Sequence, residues 1–145
     1  MKKTFHKMVF AMTMMFVIKS ASAQLQLPQQ SPKASVMQTV GLTDITIDYS
    51  SPGVKGRNIW GDVVPFDKLW RAGANSATKI TFSRDVNIEG SIIPKGSYSL
   101  FIIPSQNQWT VIINKNATAS TDEYKQDMDV LHINIAPVAI PLRCL

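Results

Sequence analysis

The sequence has very few of the side chains on which common catalytic and metal-binding sites depend. Cys144 is the only cysteine, so no disulfide can form within the chain, and packing and hydrogen bonds must stabilise the fold. The two histidines are His6 and His132, and His6 lies in an N-terminal segment that we expect to be removed. One histidine and one cysteine near the C-terminus exclude a structural zinc site of the usual nitrogen–sulfur type.

Recognisable catalytic and phosphate-binding motifs are also missing. There is no G-x-S-x-G turn, so a Ser–His–Asp triad would need His132 and a serine that nothing marks as activated. We expect His132 to lie on the solvated face of a strand. The "GVKGR" segment lacks the G-x-x-x-x-G-K-[ST] spacing that places a lysine and a hydroxyl on phosphates and magnesium. We predict no catalytic residue, no metal and no cofactor.

The acidic residues show no pattern that identifies a calcium or glycosidase site. One cluster could supply oxygens to calcium, but the glycine and ligand spacing of a calcium loop is missing, so we expect a solvated turn. Two acidic pairs have the residue types of a glycosidase carboxylate pair. We expect these acids to lie on the outer face of strands instead. The cluster is Asp122, Glu123, Asp127 and Asp129, and the pairs are Asp44 with Asp48 and Asp85 with Glu89.

Long hydrophobic runs are scarce, and the one near the start is typical of an export signal. Lysines precede an apolar run over residues 8–18, and Ala21-Ser22-Ala23 supplies the small residues of a signal-peptidase site. The run is shorter than the roughly 20 residues that cross a bilayer. We predict a signal peptide at 1–23, a periplasmic or secreted protein, and no membrane span after cleavage.

The positive charge of the chain belongs mostly to this predicted signal. The formal net charge is +5, but residues 1–23 contain four lysines and no acid, so 11 basic residues then face 10 acidic ones. A nearly neutral chain lacks the basic footprint of a nucleic-acid-binding protein. We predict no nucleic-acid partner.

The pattern of the remaining residues predicts a single all-β domain. Apolar and polar residues alternate in short runs, and turn residues interrupt them every 8–12 residues, as in antiparallel sandwiches and barrels. We predict an antiparallel β-sandwich first and a barrel or jelly roll second. We assign residues 24–33 to an exposed lead-in and residues 34–145 to the β domain. A short helical turn is plausible only in the "STDEYKQD" segment.

The segment from Gly53 to Thr78 interrupts the strand pattern. It contains four glycines, which suggest tight and ordered turns. We predict that it forms a ligand pocket at one end of the fold, where arginines grip a carboxylate or other anion and a tryptophan stacks on a sugar ring. The predicted ligand-binding residues are Arg57, Trp60, Trp70, Arg71, Asn75 and Lys79.

Two other interpretations of the segment remain open. In the first, the tryptophans plug the open end of the core and Arg71 bonds free carbonyls of the loop, which makes the domain purely structural. In the second, the segment is the active site of an envelope saccharide hydrolase or isomerase that uses Asp62 or Asp67 with Arg71. The leading interpretation is a non-catalytic envelope module that binds a small polar ligand, a glycan or a protein partner.

Three ordered motifs in this region resemble a known family. They are "RNIWG", "LWRAGANSAT" and "IPKGSYSLFIIP", and "WTVIINK" follows them. The stretch from about Ser31 to Val130 is similar to a secreted bacterial family catalogued as domain of unknown function 2911. The resemblance implies an exported β-rich domain and no particular activity. The matching signature residues are Arg57, Trp60, Gly61, Trp70, Arg71, Gly73, Asn75, Gly96 and Tyr98.

The chain departs from the resemblance at its end. Similar proteins continue through further strands after "DVLHINIAPVAIP", whereas this sequence ends in "LRCL". The sheet is therefore expected to lack C-terminal strands, and an unpaired edge strand would favour self-association.

Overall fold

The computed structural model describes residues 28–138. The predicted signal peptide lies outside the described residues, as do residues 24–27 of the predicted lead-in and the C-terminal segment with Cys144. Within the described range, no helix is long and apolar enough to cross a membrane.

Most of the described chain consists of short antiparallel strands. Six of them form one sheet in the order β1-β2-β3-β6-β7-β8, and β4 and β5 form a separate hairpin. The strands are β1 Lys33–Val40, β2 Thr43–Ser50, β3 Thr78–Phe82, β4 Val86–Ile88, β5 Ser91–Ile93, β6 Gly96–Pro104, β7 Trp109–Asn114 and β8 Asp129–Ile135, with a 3₁₀ turn at Gln126–Met128. The all-β prediction is confirmed, and the helical turn overlaps the end of the "STDEYKQD" segment and extends one residue beyond it.

The main core lies between the six-stranded sheet and the β4–β5 hairpin. Val86, Ile88 and Ile93 of the hairpin pack on apolar side chains of the sheet. Fully burying one such aliphatic side chain stabilises a fold by about 1.5–3 kcal/mol. The two packed layers are consistent with the predicted sandwich, and the sheet does not close into a barrel within residues 28–138. The buried members are Phe82, Ile93, Tyr98, Ile113 and Leu131.

In the sequence, apolar residues alternate from Ile80 and Phe82 through Val86 and Ile88, which predicts one continuous run, but the structure breaks this run between β3 and β4. Strand β3 ends at Phe82, and the next residue, Ser83, donates its backbone N–H to Asp44 and accepts the Asp44 N–H on its Oγ. The chain then turns away, and Glu89 and Gly90 both adopt positive φ in a two-residue loop. This backbone is typical of a type I′ turn, whose twist matches paired strands. The continuous alternation in the sequence therefore covers two separate strands.

A second apolar cluster lies on the opposite face of the sheet. Phe101 of β6 and Ile112 of β7 are fully buried there and pack with Ala119. Tyr124 covers them, with its ring centroid 5.3 Å from that of Phe101. The segment between β7 and β8 thus covers this face without forming strands of its own.

Strand β1 is an edge of the sheet, because it pairs only with β2 in the described part of the chain. Eight consecutive residue pairs join the two strands without a bulge. Val36, Met37 and Val40 of this strand are exposed. The last strand, β8, is the other edge, since it pairs only with β7 in the described part of the chain. Long regular edges can pair with another strand, so self-association at an edge left by missing C-terminal strands stays a prediction.

Candidate functional site

The segment between β2 and β3, residues 51–77, forms most of a cavity of about 740 Å³. We call this segment the cavity loop. The volume is in the range of pockets that hold small organic ligands. The lining residues are 30–31, 49–55, 57, 59–60, 63–65, 68–74 and 121.

Backbone hydrogen bonds hold the cavity loop against the sheet. Trp70 and Ile102 exchange two N–H···O bonds of 2.7 and 2.8 Å. The loop therefore pairs with β6 just beyond the last residue of β6 that pairs with β3. Asp67 donates its N–H to the carbonyl of Pro104 at 2.8 Å. Because these bonds use the backbone of a regular strand, the position of the loop is fixed by the fold.

Several residues of the cavity loop adopt a backbone conformation that L-residues rarely occupy. Lys55, Asp67, Ala72 and Asn75 have φ between 50° and 61°. Each such residue costs on the order of 1 kcal/mol. Ala72 is the least expected, since alanine has no polar side chain to compensate locally. Strain of this kind persists only where the surroundings enforce it, and it clusters at functional sites.

Gly73 is required because the loop backbone approaches β2 closely. A Cβ at this position would lie 3.0 Å from the Thr78 Oγ1 and 3.3 Å from the Ser50 carbonyl oxygen. The Thr78 hydroxyl is itself fixed, since it donates to the carbonyl of Ala72 at 2.9 Å. The glycine therefore allows the Arg71–Ala74 turn to pack on the end of β2.

Three tryptophan rings meet beside the cavity. The Trp60 ring lies edge-on to Trp70, with centroids 5.6 Å apart, and is tilted on Trp109 with centroids 4.6 Å apart. Such aromatic pairs add about 0.5–1.5 kcal/mol beyond the area they bury. Trp60 nevertheless remains 39% exposed. The Trp60 ring is therefore held at the cavity wall by contacts with two other rings and is still accessible to solvent.

The charged residues of the cavity wall are all basic. Lys55, Arg57, Lys68 and Arg71 line it, and no aspartate, glutamate or histidine is among the described lining residues. Neither of the two ion pairs found within residues 28–138 includes a cavity residue. The basic side chains of the wall thus form no ion pair with a carboxylate of the described chain.

The two predicted arginines have different roles. Arg57 donates from Nη2 to the Gly53 carbonyl at 2.7 Å and from Nε to the Val54 carbonyl at 3.1 Å, so it holds the loop together. Arg71 has a buried Nε with no hydrogen-bond partner. The structural interpretation assigns bonds to loop carbonyls to Arg71, whereas within the described residues Arg57 makes them.

Two predicted ligand-binding residues do not line the cavity. Asn75 donates its side-chain amide to Gln29 Oε1 at 3.2 Å and to the Ser31 carbonyl at 3.3 Å, which ties the lead-in to the loop. Lys79 lies on β3 and pairs with Asp48 at 2.9 Å. The structure therefore brings together Arg57, Trp60, Trp70 and Arg71 of the predicted set.

The sequence did not reveal a buried polar cluster at the start of β8, which we call the Asp129 cluster. The Asp129 side chain is only 4% exposed. It accepts hydrogen bonds from Asn114 at 2.6 Å and from the Tyr124 hydroxyl, and the His132 Nε2 lies 2.6 Å away. Burial, followed by the Asp129 carboxylate, raises the pKa of Tyr124. The strand alternation places His132 on β8 but gives no sign of its partner.

The acidic turn that contains Asp129 is not arranged around a shared ion. Within residues 28–138, no three histidine, cysteine or acidic side chains converge as metal ligands would. Glu123 instead accepts hydrogen bonds from the backbone and hydroxyl of Ser120, and these lower its pKa. Glu123 and Asp129 therefore bond to the protein itself.

The acids of the predicted hydrolase or isomerase also lie apart from the cavity wall. Asp62 and Asp67 belong to the cavity loop, but neither is among its described lining residues. A general acid or base must reach the proton that it transfers. The wall as described offers ammonium, guanidinium, hydroxyl and aromatic groups.

Comparison with known proteins gives one match. A family model described as "Protein of unknown function (DUF2911)" covers residues 31–143. The match confirms the resemblance to domain of unknown function 2911; it begins at Ser31, where the similar stretch begins, and extends beyond Val130. No curated protein and no solved structure matches the chain.

Proposed function

The chain belongs to the DUF2911 family of proteins of unknown function, and we propose from its geometry that it is a non-catalytic module that binds a small polar ligand or glycan fragment. The observation that carries the proposal is the preformed cavity of about 740 Å³. Its wall is a loop fixed to β6 by backbone bonds. A preformed site loses little conformational entropy when a ligand binds.

The accessible Trp60 ring favours binding over a purely structural loop. A ring that only plugged the core would be buried, whereas Trp60 is 39% exposed although it contacts two other tryptophans. Aromatic rings fixed in this way offer a large contact area at a low entropic cost. The strained residues of the same loop support the proposal, because such strain is more common at ligand sites than in ordinary turns.

The chemistry of the wall favours binding over catalysis. Its described residues include no carboxylate or imidazole that could transfer a proton. The saccharide hydrolase or isomerase remains the second candidate only through Asp62 and Asp67, which would have to reach the cavity from outside its described wall.

We test the proposal by titrating the purified chain with neutral and anionic monosaccharides and short glycans, and by following tryptophan fluorescence and calorimetric heat. We expect at least one member to bind and Trp60→Ala to weaken that binding. Lys79→Ala is the matched control, because Lys79 belongs to the predicted set but does not line the cavity. Absence of binding across the panel, or binding that Trp60→Ala leaves unchanged, would contradict the proposal.

We further propose that the module works outside the cytoplasm. The support is the basic segment, the apolar run over residues 8–18 and the small residues before Gln24, which together are typical of an export signal. A mass spectrum of the natural protein should show a chain that begins at Gln24. Retention of Met1 in the protein isolated from cells would contradict this.

A further inference from the structure

We infer that the ligand of this cavity carries an oxyanion, a carboxylate or a phosphate, and that Arg71 binds it directly. The inference rests on the proposed function, because it names the chemical class of the ligand in the same cavity. It assigns the anion to the guanidinium of Arg71, whose Nε–H has no acceptor in the described chain. It also separates Arg71 from Arg57, Asn75 and Lys79, whose side chains already bond to the protein.

Positive charge is concentrated on the wall of the cavity. Four basic side chains line the cavity, and none of its described lining residues is acidic. The chain after residue 23 has nearly balanced charges, with 11 basic and 10 acidic residues. The four cations are therefore a local concentration of charge. A cleft lined by one sign of charge attracts ligands of the opposite sign.

Arg71 has an unpaired hydrogen-bond donor within the described chain. Its Nε is buried and has no partner among the described residues. A lysine or histidine in this position could lose its proton, but a guanidinium remains charged. A buried unpaired donor is unfavourable, and native proteins have few of them. An oxyanion from a ligand would supply the missing acceptor.

The backbone around Arg71 is held in place before any ligand binds. Its carbonyl accepts the Thr78 N–H at 3.0 Å, and the preceding residue, Trp70, is bonded to β6. The following residue, Ala72, has a φ of 54°. Because the backbone on both sides is constrained, the Arg71 side chain leaves the loop from a defined position, and the burial of its Nε restricts where the guanidinium lies. A planar guanidinium can bind a carboxylate or phosphate through two parallel hydrogen bonds.

The remaining wall indicates what kind of molecule carries the anion. Trp60 presents an accessible ring at the same cavity, and Tyr49 lies in its wall. Rings of this kind contact the flat face of a sugar or another ring. The chemistry fits a ring-bearing small acid, such as a sugar acid or a sugar phosphate, better than an isolated inorganic anion.

The experiment observes the Arg71 Nε–H directly by ¹H–¹⁵N NMR, with its signal assigned by its loss in Arg71→Met. The chain is titrated with glucose, glucuronate and glucose 6-phosphate. We expect the Arg71 signal to move with at least one of the two acids and not with glucose. The two acids distinguish a carboxylate ligand from a phosphate ligand. The corresponding affinity should fall about tenfold or more in Arg71→Met, the effect of losing one charge-assisted hydrogen bond.

Two controls keep the result specific. Arg71→Lys should restore only part of the affinity, because lysine keeps the charge but cannot form the paired bonds. Lys79→Met should bind as the unmodified chain does, since Lys79 does not line the cavity. Circular dichroism of each variant establishes that it is folded.

The outcomes separate this inference from the proposed function. If a neutral sugar binds with a change in tryptophan fluorescence while neither acid moves the Arg71 signal, the inference is wrong and the proposed function stands. The inference is equally wrong if the acids bind but Arg71→Met and Lys79→Met weaken them alike. If neither glucose nor either acid binds, the inference is wrong, and the wider panel decides the proposed function.

Discussion

The Asp129 cluster and the cavity both contain buried polar groups, but those of the cluster have hydrogen-bond partners and the Arg71 Nε of the cavity has none in the described chain. In the Asp129 cluster, Asn114 and Tyr124 surround a buried carboxylate, and hydrogen bonds join all three. Asn114 also donates to the Lys125 carbonyl and accepts the Asn116 N–H. In the cavity, the Arg71 Nε is buried without any partner in the described chain.

The difference indicates which group serves the fold and which serves a ligand. A buried polar network with every member satisfied makes a structure rigid and specific. An unsatisfied donor does neither, and it lowers stability until something binds it. The Asp129 cluster therefore fixes the segment between β7 and β8, while the cavity retains an open position for a ligand.

The largest effect should come from removing the carboxylate of the satisfied cluster. Asp129→Ala leaves the Tyr124 hydroxyl and one of the two Asn114 amide hydrogens without an acceptor, so the free energy of unfolding should fall by about 3 kcal/mol or more. Urea unfolding followed by fluorescence measures this. Asp129→Asn keeps the shape of the side chain and should lose less. A change below about 1 kcal/mol in Asp129→Ala would show that the cluster does not stabilise the fold.

The next largest effect should come from crowding the cavity loop against β2. Gly73→Ala places a methyl group 3.0 Å from the Thr78 Oγ1, and overpacking of this kind costs about 1–3 kcal/mol. Gly53→Ala is the matched control, because its Cβ would meet only the flexible Lys55 side chain at 3.5 Å. Equal unfolding free energies for the two variants would mean that the loop adjusts freely and that the cavity is not rigid.

A smaller effect should appear at alkaline pH in the Asp129 cluster. Burial and the Asp129 carboxylate raise the pKa of Tyr124, whereas the unfolded side chain titrates near about 10. A raised pKa stabilises the folded state below the unfolded value, and this contribution is lost as pH rises above it. The free energy of unfolding should therefore decline above about pH 10, and less steeply in Tyr124→Phe. Identical slopes in the two proteins would contradict this assignment.

The smallest effects on stability should come from the two cations that the sequence placed in one set. Lys79→Met breaks an ion pair whose side chains are each 40% exposed, and such pairs contribute about 0–1 kcal/mol. Arg71→Met removes an unsatisfied donor, so the free energy of unfolding should stay unchanged or rise slightly. A loss above about 2 kcal/mol in Arg71→Met would mean that Arg71 supports the fold and would weaken the inference.

The strands could be predicted from sequence because alternation is a local signal. Ile45, Ile47 and Tyr49 lie on one face of β2, as their spacing indicates. The division into β3 and β4 could not be predicted, since the break depends on Asp44 bonding Ser83 across 39 positions. Local periodicity carries no information about such distant partners.

The composition of the site was more predictable than the roles of its residues. The glycines, tryptophans and arginines between β2 and β3 marked the cavity loop. Which arginine has hydrogen-bond partners depends on where the Gly53 and Val54 carbonyls point. Their direction follows only from the folded loop. Lys79 is near the cavity loop in sequence, but the pairing of β3 with β2 places it opposite Asp48, with which it forms an ion pair.

The central claim, that the cavity holds positive charge not neutralised by the chain, is tested most directly by quenching tryptophan fluorescence with iodide and with caesium. Trp60 lies at the cavity and is partly exposed, and Trp60→Phe identifies its share of the signal. Potentials in clefts of one charge sign reach several kT. Iodide should therefore quench Trp60 at least about twofold more effectively than caesium after correction for their intrinsic efficiencies, and added salt should reduce the difference. Equal quenching by the two ions at low salt would contradict the account.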